Sequence, residues 1–461
     1  MIKKTGNKSG GVSMVETGKV KYLIIGNSAG GIGAAEAIRE VDRSCTITIV
    51  SDEPYPAYSR PLISEYLAHP CPVEKMLYRE PDFYEKYRIK TILGEGIIKV
   101  NPAGHTVELA SGETLAWEKL LLATGGTPIF PPTPGSDLRG VFTFNKLDDA
   151  RAIDRFLSQH RKKVRAVVIG GGLIGTSVTE ALVQRGVEVT VIEMKDRILN
   201  TILDEETSDL EAEALQRSGI HIITGHTAEK INSHLPGEVS GVTLDDGRSL
   251  PCDLVIIAIG VRPRLELVAG SGIKVNRGIV VDRRMAASLP DIYACGDVAE
   301  AHDFVIGASR LTPIWPNAYS GGRVAGLNMA GARARYPGGT AMNAMKYFGV
   351  NIVSAGLTVP PDDTYETIIN NTDGIYKKVL VKGGKVAGLV FAGDIEKSGI
   401  VYNLMKDGVD VSDFKERLVA DDFGLASLPE KIWREKLAGS PPEDVEGITG
   451  VEEPEEAIIG D

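Results

Sequence analysis

Gly170, Gly172 and Gly175 follow the apolar run VRAVVI and open the segment LIGTSVTEALVQ, a spacing suited to holding a phosphate. In such a turn the first glycine permits the tight bend and the second lets a pyrophosphate approach the backbone. The third lets helix and strand pack closely, with the helix N-terminus facing the phosphate charge. Leu173 and Ile174 belong to the same turn. About 145 residues earlier the pattern recurs at Gly26 and Gly31, with Ser28 in the middle place and Ala29 beside it. Serine is small and can itself hydrogen-bond a phosphate. A carboxylate belongs at the end of the following strand, where it can take the ribose hydroxyls. Glu193 stands 18 residues after Gly175; Asp52 and Glu53 stand 21 and 22 residues after Gly31. Glu193 would accept from both ribose hydroxyls of NAD and repel a 2′-phosphate, which favours NAD over NADP. Either Asp52 or Glu53 can hold the other adenosine ribose.

Such turns need a strand before them and a helix after them. Both segments read as an apolar strand, a Gly-rich turn, an Ala-containing helix and a second apolar strand ending in acid. Continuous β-branched runs suit strands buried on both faces of a parallel sheet, and the unit has βαβ length. The runs KLLLATGGTP and DLVIIAIGVRP also resemble one another, each a buried strand ending in Gly and then Pro. DIYACGDVAE is a short strand ending at Gly296-Asp297. From about Tyr336 the character changes, and YKKVLVKGGKVAGLVFAG reads as an antiparallel hairpin with a GlyGly turn, followed by two helical stretches. The expected fold is α/β, with two Rossmann-like dinucleotide-binding domains, one inserted in the other, and a smaller C-terminal α+β domain. Expected boundaries are a loose arm at 1–19, a first dinucleotide domain at 20–130 and 266–338, and a second at 131–265. An interface domain at 339–440 and an acidic tail at 441–461 follow.

Composition excludes several classes. The chain has 461 residues, 43% of them hydrophobic and 25% charged, as in ordinary globular proteins. Its net charge is −11, but eight acids and no base lie between Leu437 and Asp461, leaving −3 for the rest. No basic stripe suggests nucleic acid. No apolar run reaches the ~18 residues of a membrane span. The first twenty residues lack the apolar core of a signal peptide. Cys45, Cys71, Cys252 and Cys295 form no CxxC or metal-binding spacing, which fits free thiols in a reducing cytoplasm. The seven histidines form no metal or triad pattern, and no metal is expected.

GNSAGG, ATGGTP, GGGLIG, IGVRP and ACGDVA, in this order and spacing, resemble the pyridine-nucleotide-linked FAD oxidoreductases with two dinucleotide folds. The resemblance covers about residues 20–340. It is strongest to rubredoxin and ferredoxin reductases and to the flavin module of NAD(P)H nitrite reductases. It implies FAD on the first fold, at Gly26, Ser28, Ala29, Gly31, Asp52, Glu53, Ala123, Thr124, Gly125 and Gly296. Asp297 would hydrogen-bond the ribityl chain. It implies NAD(H) on the second fold, at Gly170, Gly172, Leu173, Ile174, Gly175, Glu193 and Gly260. YSRPLIS is similar to a flavin-lining segment of that group, which assigns Arg60 and Pro61. WPNAYSGGRVAGLNMAG is similar to its Trp-Ala-Asn-Ala helix, which places Trp315, Asn317 and Ala318 near the isoalloxazine.

Two departures stand out. No cysteine lies between Cys45 and Cys71, where relatives that use a redox thiol carry one. A Lys–Glu pair of ferredoxin-reductase relatives is replaced by Glu65 and Ser177, and Glu180 lies one turn after Ser177. The expected activity is NADH oxidation at FAD, where the cofactor carries the chemistry and no side chain is a catalyst. Electrons would go to rubredoxin, a ferredoxin or an iron–sulfur subunit, with the chain a homodimer or part of a larger redox complex. The alternatives are a thiol, persulfide or peroxide reductase or NADH oxidase using Cys71, and a non-catalytic scaffold subunit.

Overall fold

The computed structural model describes residues 19–160, 162–234, 237–372, 374–437 and 445–446. The N-terminal arm and nearly all of the acidic tail lie outside the described residues.

Two sheets are built on one plan. In the first, parallel strands Ile89–Leu93, Ile47–Ser51, Val20–Ile25 and Thr114–Leu122 lie side by side, and Ile292–Ala294 joins the last in parallel. In the second, His221–Thr224, Glu188–Glu193, Arg165–Ile169, Leu254–Ile257 and Val141–Thr143 run parallel in that order. Each carries a small antiparallel meander. In the first it is Ile97–Asn101, Thr106–Leu109 and the start of Thr114–Leu122; in the second it is Ala228–Asn232, Gly241–Leu244 and Ser249–Pro251. The central strands carry unbroken apolar runs because both faces are covered; in the second sheet Val168 and Ile256 pack toward helix residues such as Val178 and Leu182, and Val167 and Val255 toward Ile231, Val242 and Leu244 of the meander. Leu23, Ile24, Leu120 and Leu121 in one sheet, and Leu254, Val255 and Ile256 in the other, have no solvent exposure.

The two look-alike runs ending in Gly and Pro meet one another. Gly126–Pro128 pairs antiparallel with Val261–Pro263, so a two-stranded ribbon joins the two halves where the chain passes between them.

Helix Ala29–Val41, which leaves the first cradle, lies against helix Trp315–Met329. Small residues set the closeness of this contact. A Cβ on Gly322 would sit 2.1 Å from the Gly30 carbonyl oxygen, and one on Gly326 would sit 2.3 Å from that of Ala34. The glycines of SGGRVAG therefore fix where the helix begins, and with it the position of Trp315.

A third sheet is antiparallel, in the order Met342–Tyr347, Val350–Gly356, Lys385–Ala392, Ile375–Lys382, Glu366–Thr372. Gly383 and Gly384, at φ 55° and 75°, make the expected turn. KYFGVNIV forms a second hairpin, in which Phe348 takes φ 48° ahead of Gly349 at 89°. A bulky residue rarely accepts that conformation, so residue type alone does not point to this turn. Helices Ser398–Lys406 and Glu430–Leu437 follow.

Buried polar contacts fasten this sheet to the second parallel one. Asp204 accepts from Lys378 Nζ at 2.8 Å and Tyr376 Oη at 2.7 Å. Burial alone would raise the Asp204 pKa, but these donors and Thr207 hold it below its ordinary value. At the surface, Asn371 donates to Glu206 at 3.0 Å.

Candidate functional site

Each cradle begins with a glycine in the left-handed region, Gly26 at φ +122° and Gly170 at φ +107°. A Cβ on Gly31 would meet the Gly26 carbonyl oxygen at 1.9 Å; on Gly175 it would meet that of Gly170 at 1.8 Å. Both third glycines are thus required by helix–strand contact, as the spacing predicts. The middle positions differ. A Cβ on Gly172 would meet nothing within 4 Å, so that side is open to a ligand, whereas the first cradle places Ser28 there. Helices Ala29–Val41 and Leu173–Gln184 start at these turns, so their first backbone N–H groups point outward.

A cavity of about 600 Å³ opens over the first cradle. Gly26, Ser28, Ala29, Asp52, Glu53, Arg60, Pro61, Ala123, Thr124, Gly125, Gly296, Asp297, Trp315 and Ala318 all line it. The far wall comes from elsewhere. Phe144, Asn145, Leu173, Ile174 and Ser177 belong to the second half, and Met342–Met345 and Tyr347 to the C-terminal sheet. The cavity therefore reaches the head of the helix that leaves the second cradle. Gly31 does not line the cavity and packs against the Gly26 carbonyl. Asn317 is not on its wall, because its amide donates to the Thr312 and Thr340 carbonyls at 3.4 and 3.1 Å and braces the helix start.

The two candidate acids at the first cradle have separate surroundings. Glu53 is buried and accepts from Tyr58 Oη at 2.6 Å and from the Arg60 guanidinium. Arg60 also donates to the Asn145 carbonyl at 2.9 Å, and Leu147 N–H donates to Tyr58 at 3.0 Å. Glu53 thereby ties YSRP to the second half and is no loose loop carboxylate. Asp52 pairs with Arg264 at 3.0 Å, and Arg264 also donates to Thr127 at 3.0 Å. Burial would raise the Asp52 pKa, yet Arg264 keeps it below the usual carboxylate range. Burial raises the pKa of Asp297, opposed by the nearby Arg60 charge.

At the second cradle, Glu193 accepts from the Gly171 N–H at 2.7 Å and the Lys195 N–H at 2.8 Å. These bonds aim its carboxylate along the cradle. Gly170, Gly172, Gly175, Glu193 and Gly260 do not line the cavity, and the side at Gly172 is open. Gly260, at φ +110°, accepts at its carbonyl from Ile129 N–H at 2.9 Å.

The family profile described as pyridine nucleotide-disulphide oxidoreductase matches residues 20–322. The chain belongs to this family. The profile of the rubredoxin NAD+ reductase C-terminal domain matches residues 342–409, which covers the antiparallel sheet and its first helix. The chain is 30% identical over 419 residues to the NADH-dependent phenylglyoxylate dehydrogenase subunit epsilon of Aromatoleum evansii, covering 90% of this chain and 98% of that one. It is 31% identical over 399 residues to the nitrite reductase [NAD(P)H] of Bacillus subtilis, covering 86% of this chain and spanning 48% of that longer protein. Among solved structures, the NADH:rubredoxin oxidoreductase of Clostridium acetobutylicum superposes with a TM-score of 0.70 at 28% identity, over 86% of this chain and 98% of that one.

Family members depend on FAD, and the first cradle fits that group. Gly125 is at φ +68° with open space around it, and Thr124 Oγ1 is buried without a hydrogen-bond partner among the described residues. Thr124 and Asp297 both border the cavity and suit a ligand rich in hydroxyls.

The thiols are less suited to chemistry. Cys71, the sequence candidate, does not line the cavity. Cys295 does, which the sequence did not signal, but burial and then Asp297 push its thiol up to about 12. A thiol of that kind is a poor nucleophile. His226, Asp245 and Asp246 bring ligand atoms within 4.8 Å of one another, an arrangement not visible from spacing. It lies outside the cavity wall, and Arg248 already holds Asp246 at 2.6 Å. No described helix is long and apolar enough to cross a membrane.

Proposed function

We propose that this chain is an FAD-dependent NADH oxidoreductase that delivers electrons to a one-electron carrier: rubredoxin, a ferredoxin or an iron–sulfur partner subunit. The observation that carries this reading is the shared cavity, whose floor is the first cradle and whose far wall includes Leu173 and Ile174 from the second. Bound FAD would supply the conversion between hydride transfer and single-electron transfer.

The chain's own residues bind, orient and exclude water. The N-terminal turns of helices Ala29–Val41 and Leu173–Gln184 face the two pyrophosphates with N–H groups and positive dipole ends. Asp52, fixed by Arg264, accepts from the FAD ribose, and Asp297 from the ribityl hydroxyls. Arg60, fixed by Glu53, supplies a positive charge to the flavin end. Ala123, Thr124, Gly125, Gly296, Trp315 and Ala318 form the walls. Glu193 accepts from the NAD ribose, with Gly260 on the other side of the groove. Met345 and Tyr347 cap the cavity and keep water from the reacting rings. No thiol is needed, which leaves Cys71 outside this reading.

The partner class is supported by the match of residues 342–409 to the rubredoxin NAD+ reductase C-terminal domain and by the dehydrogenase subunit matched over nearly its whole length. A role as one subunit of a larger redox complex, with NAD as final acceptor, uses the same groups in reverse. The reading predicts a yellow protein whose visible band bleaches anaerobically on NADH addition. A colourless protein that takes up no FAD on reconstitution overturns it.

A further inference from the structure

The hairpin of strands Met342–Tyr347 and Val350–Gly356 pairs Tyr347 with Val350 and leaves two residues at its tip. Both of these, Phe348 at φ 48° and Gly349 at φ 89°, are left-handed, as in a type I′ turn. That turn favours Asn, Asp or Gly in its first central place. A phenylalanine there is strained and persists only where its surroundings hold it. Two contacts do so. The Phe348 N–H donates to the Glu180 carboxylate at 2.9 Å, across 168 residues of chain. The Phe348 side chain packs against the apolar cluster to which Val178 and Leu182 belong, on the same helix as Glu180.

Glu180 is half-buried and does not itself line the cavity. The helix that carries it does, through Leu173, Ile174 and Ser177, and the hairpin does, through Met342–Met345 and Tyr347. The Glu180 bond thus ties two walls of the cavity together from behind. The other fastenings of the C-terminal sheet lie elsewhere. Asp204 holds strand Ile375–Lys382, and helix Glu205–Arg217, with Glu211 buried on it, packs against strand Val350–Gly356. Removing the Glu180 carboxylate leaves those contacts in place and releases the tip alone.

We propose that Glu180 is a positioning residue: by gripping the Phe348 N–H it holds Tyr347 and Met345 in the cavity wall, and so sets the space in which nicotinamide and flavin meet. This inference rests on the function proposed above. Hydride transfer needs its two rings closely aligned and water kept away, so a wall that loosens slightly costs rate before it costs affinity. Glu180 acts through the backbone of Phe348 and touches neither coenzyme. Ser177, on the cavity side of the same helix, stands where ferredoxin-reductase relatives carry a glutamate; the acid one turn later serves the wall instead.

The test uses FAD-loaded enzyme and compares Glu180→Ala, which removes the acceptor, with Glu180→Gln, which keeps one oxygen able to accept. The first readout needs no turnover: amide hydrogen exchange at Phe348, followed by mass spectrometry of a peptide spanning 343–350. It should be faster by about tenfold or more in Glu180→Ala, the scale of one lost hydrogen bond to a charged group, and within about twofold of wild type in Glu180→Gln. The second is the limiting rate at which NADH bleaches the flavin without oxygen. Glu180→Ala should lower it about tenfold while the NADH dissociation constant stays within about twofold, and Glu180→Gln should restore it. Unchanged exchange in Glu180→Ala overturns the grip on the turn. Faster exchange with an unchanged bleaching rate overturns its bearing on the cavity. Wild-type protein that NADH fails to bleach would instead remove the redox function, and the exchange result does not depend on that outcome.

Discussion

The two cradles share a backbone and differ in what surrounds it. Their first and third glycines superimpose in role, with virtual Cβ contacts of 1.9 and 1.8 Å on the equivalent carbonyl. The first cradle sits under a cavity walled by three parts of the chain, its acids Asp52 and Glu53 both held by arginines. The second lies outside that cavity, open at Gly172, and its acid, Glu193, accepts from the backbone N–H groups of Gly171 and Lys195. Enclosure favours slow release, because departure must break contacts from several elements at once. An open groove lets its ligand exchange in each turnover. One local motif can thus serve a resident coenzyme and a passing one, and tertiary context decides which.

The largest expected effect comes from removing the third glycine in each copy. Gly31→Ala and Gly175→Ala each force a Cβ into a carbonyl oxygen and must push the helix start off its strand. Gly31→Ala should purify without FAD. Gly175→Ala should keep its yellow colour and lose NADH affinity by about a hundredfold, which corresponds to roughly 2.7 kcal/mol. Absorbance spectra and NADH titration distinguish the two. If both variants lose the same ligand, the division of labour between the cradles is wrong.

Next comes the acid of the open groove. Glu193→Arg exchanges a carboxylate that accepts ribose hydroxyls for a cation that pairs with a 2′-phosphate. It also removes the acceptor of the Gly171 and Lys195 N–H groups, so NADH should suffer in absolute terms. The ratio of kcat/KM for NADPH to that for NADH should rise about tenfold or more, on the scale of one charge-assisted contact. An unchanged ratio would take Glu193 out of the ribose role.

How much of this was legible beforehand follows the same division. The cradles, their strands and the acids at strand ends are local patterns, and Gly26, Gly31, Gly170, Gly175 and Glu193 declare themselves by spacing. The partners that give each acid its character do not. Arg264 reaches Asp52 across 212 residues of chain, and Asn145 receives Arg60 from 85 residues away. Tyr347 and Met345 enter the cavity from a hairpin whose turn depends on a phenylalanine at positive φ. Asn317, which the resemblance places near the isoalloxazine, braces the helix start through the Thr312 and Thr340 carbonyls. Contacts between distant segments leave no period or spacing to read.

A smaller effect sharpens the contrast at the seam behind the second cradle. Folded Glu211 keeps its proton up to about pH 8, whereas the unfolded chain gives it up near the ordinary glutamate range. Between those values the folded state binds more protons, so this group makes stability fall as pH rises and adds no further loss above about 8. Glu211→Gln removes that term. Its melting temperature should exceed the wild type's at pH 9 by more than at pH 5. Parallel shifts at both values would mean that Glu211 is ionised, or equally solvated, in both states.

The smallest effect expected concerns the thiols, and it tests whether the enclosed cradle works by flavin alone. Cys295 borders the cavity but lies wholly buried, with burial holding the thiol protonated. Cys71, between two prolines, is off the cavity wall. A redox thiol would have to be ionised and within reach of the cavity, and neither cysteine meets both conditions. Cys71→Ser should therefore turn over NADH with ferricyanide at a rate within about twofold of wild type, the scatter typical of a conservative change away from the site. A loss of tenfold or more would overturn the flavin-only reading, since Cys71 would then have to reach the flavin by a movement of the segment between Tyr66 and Met76.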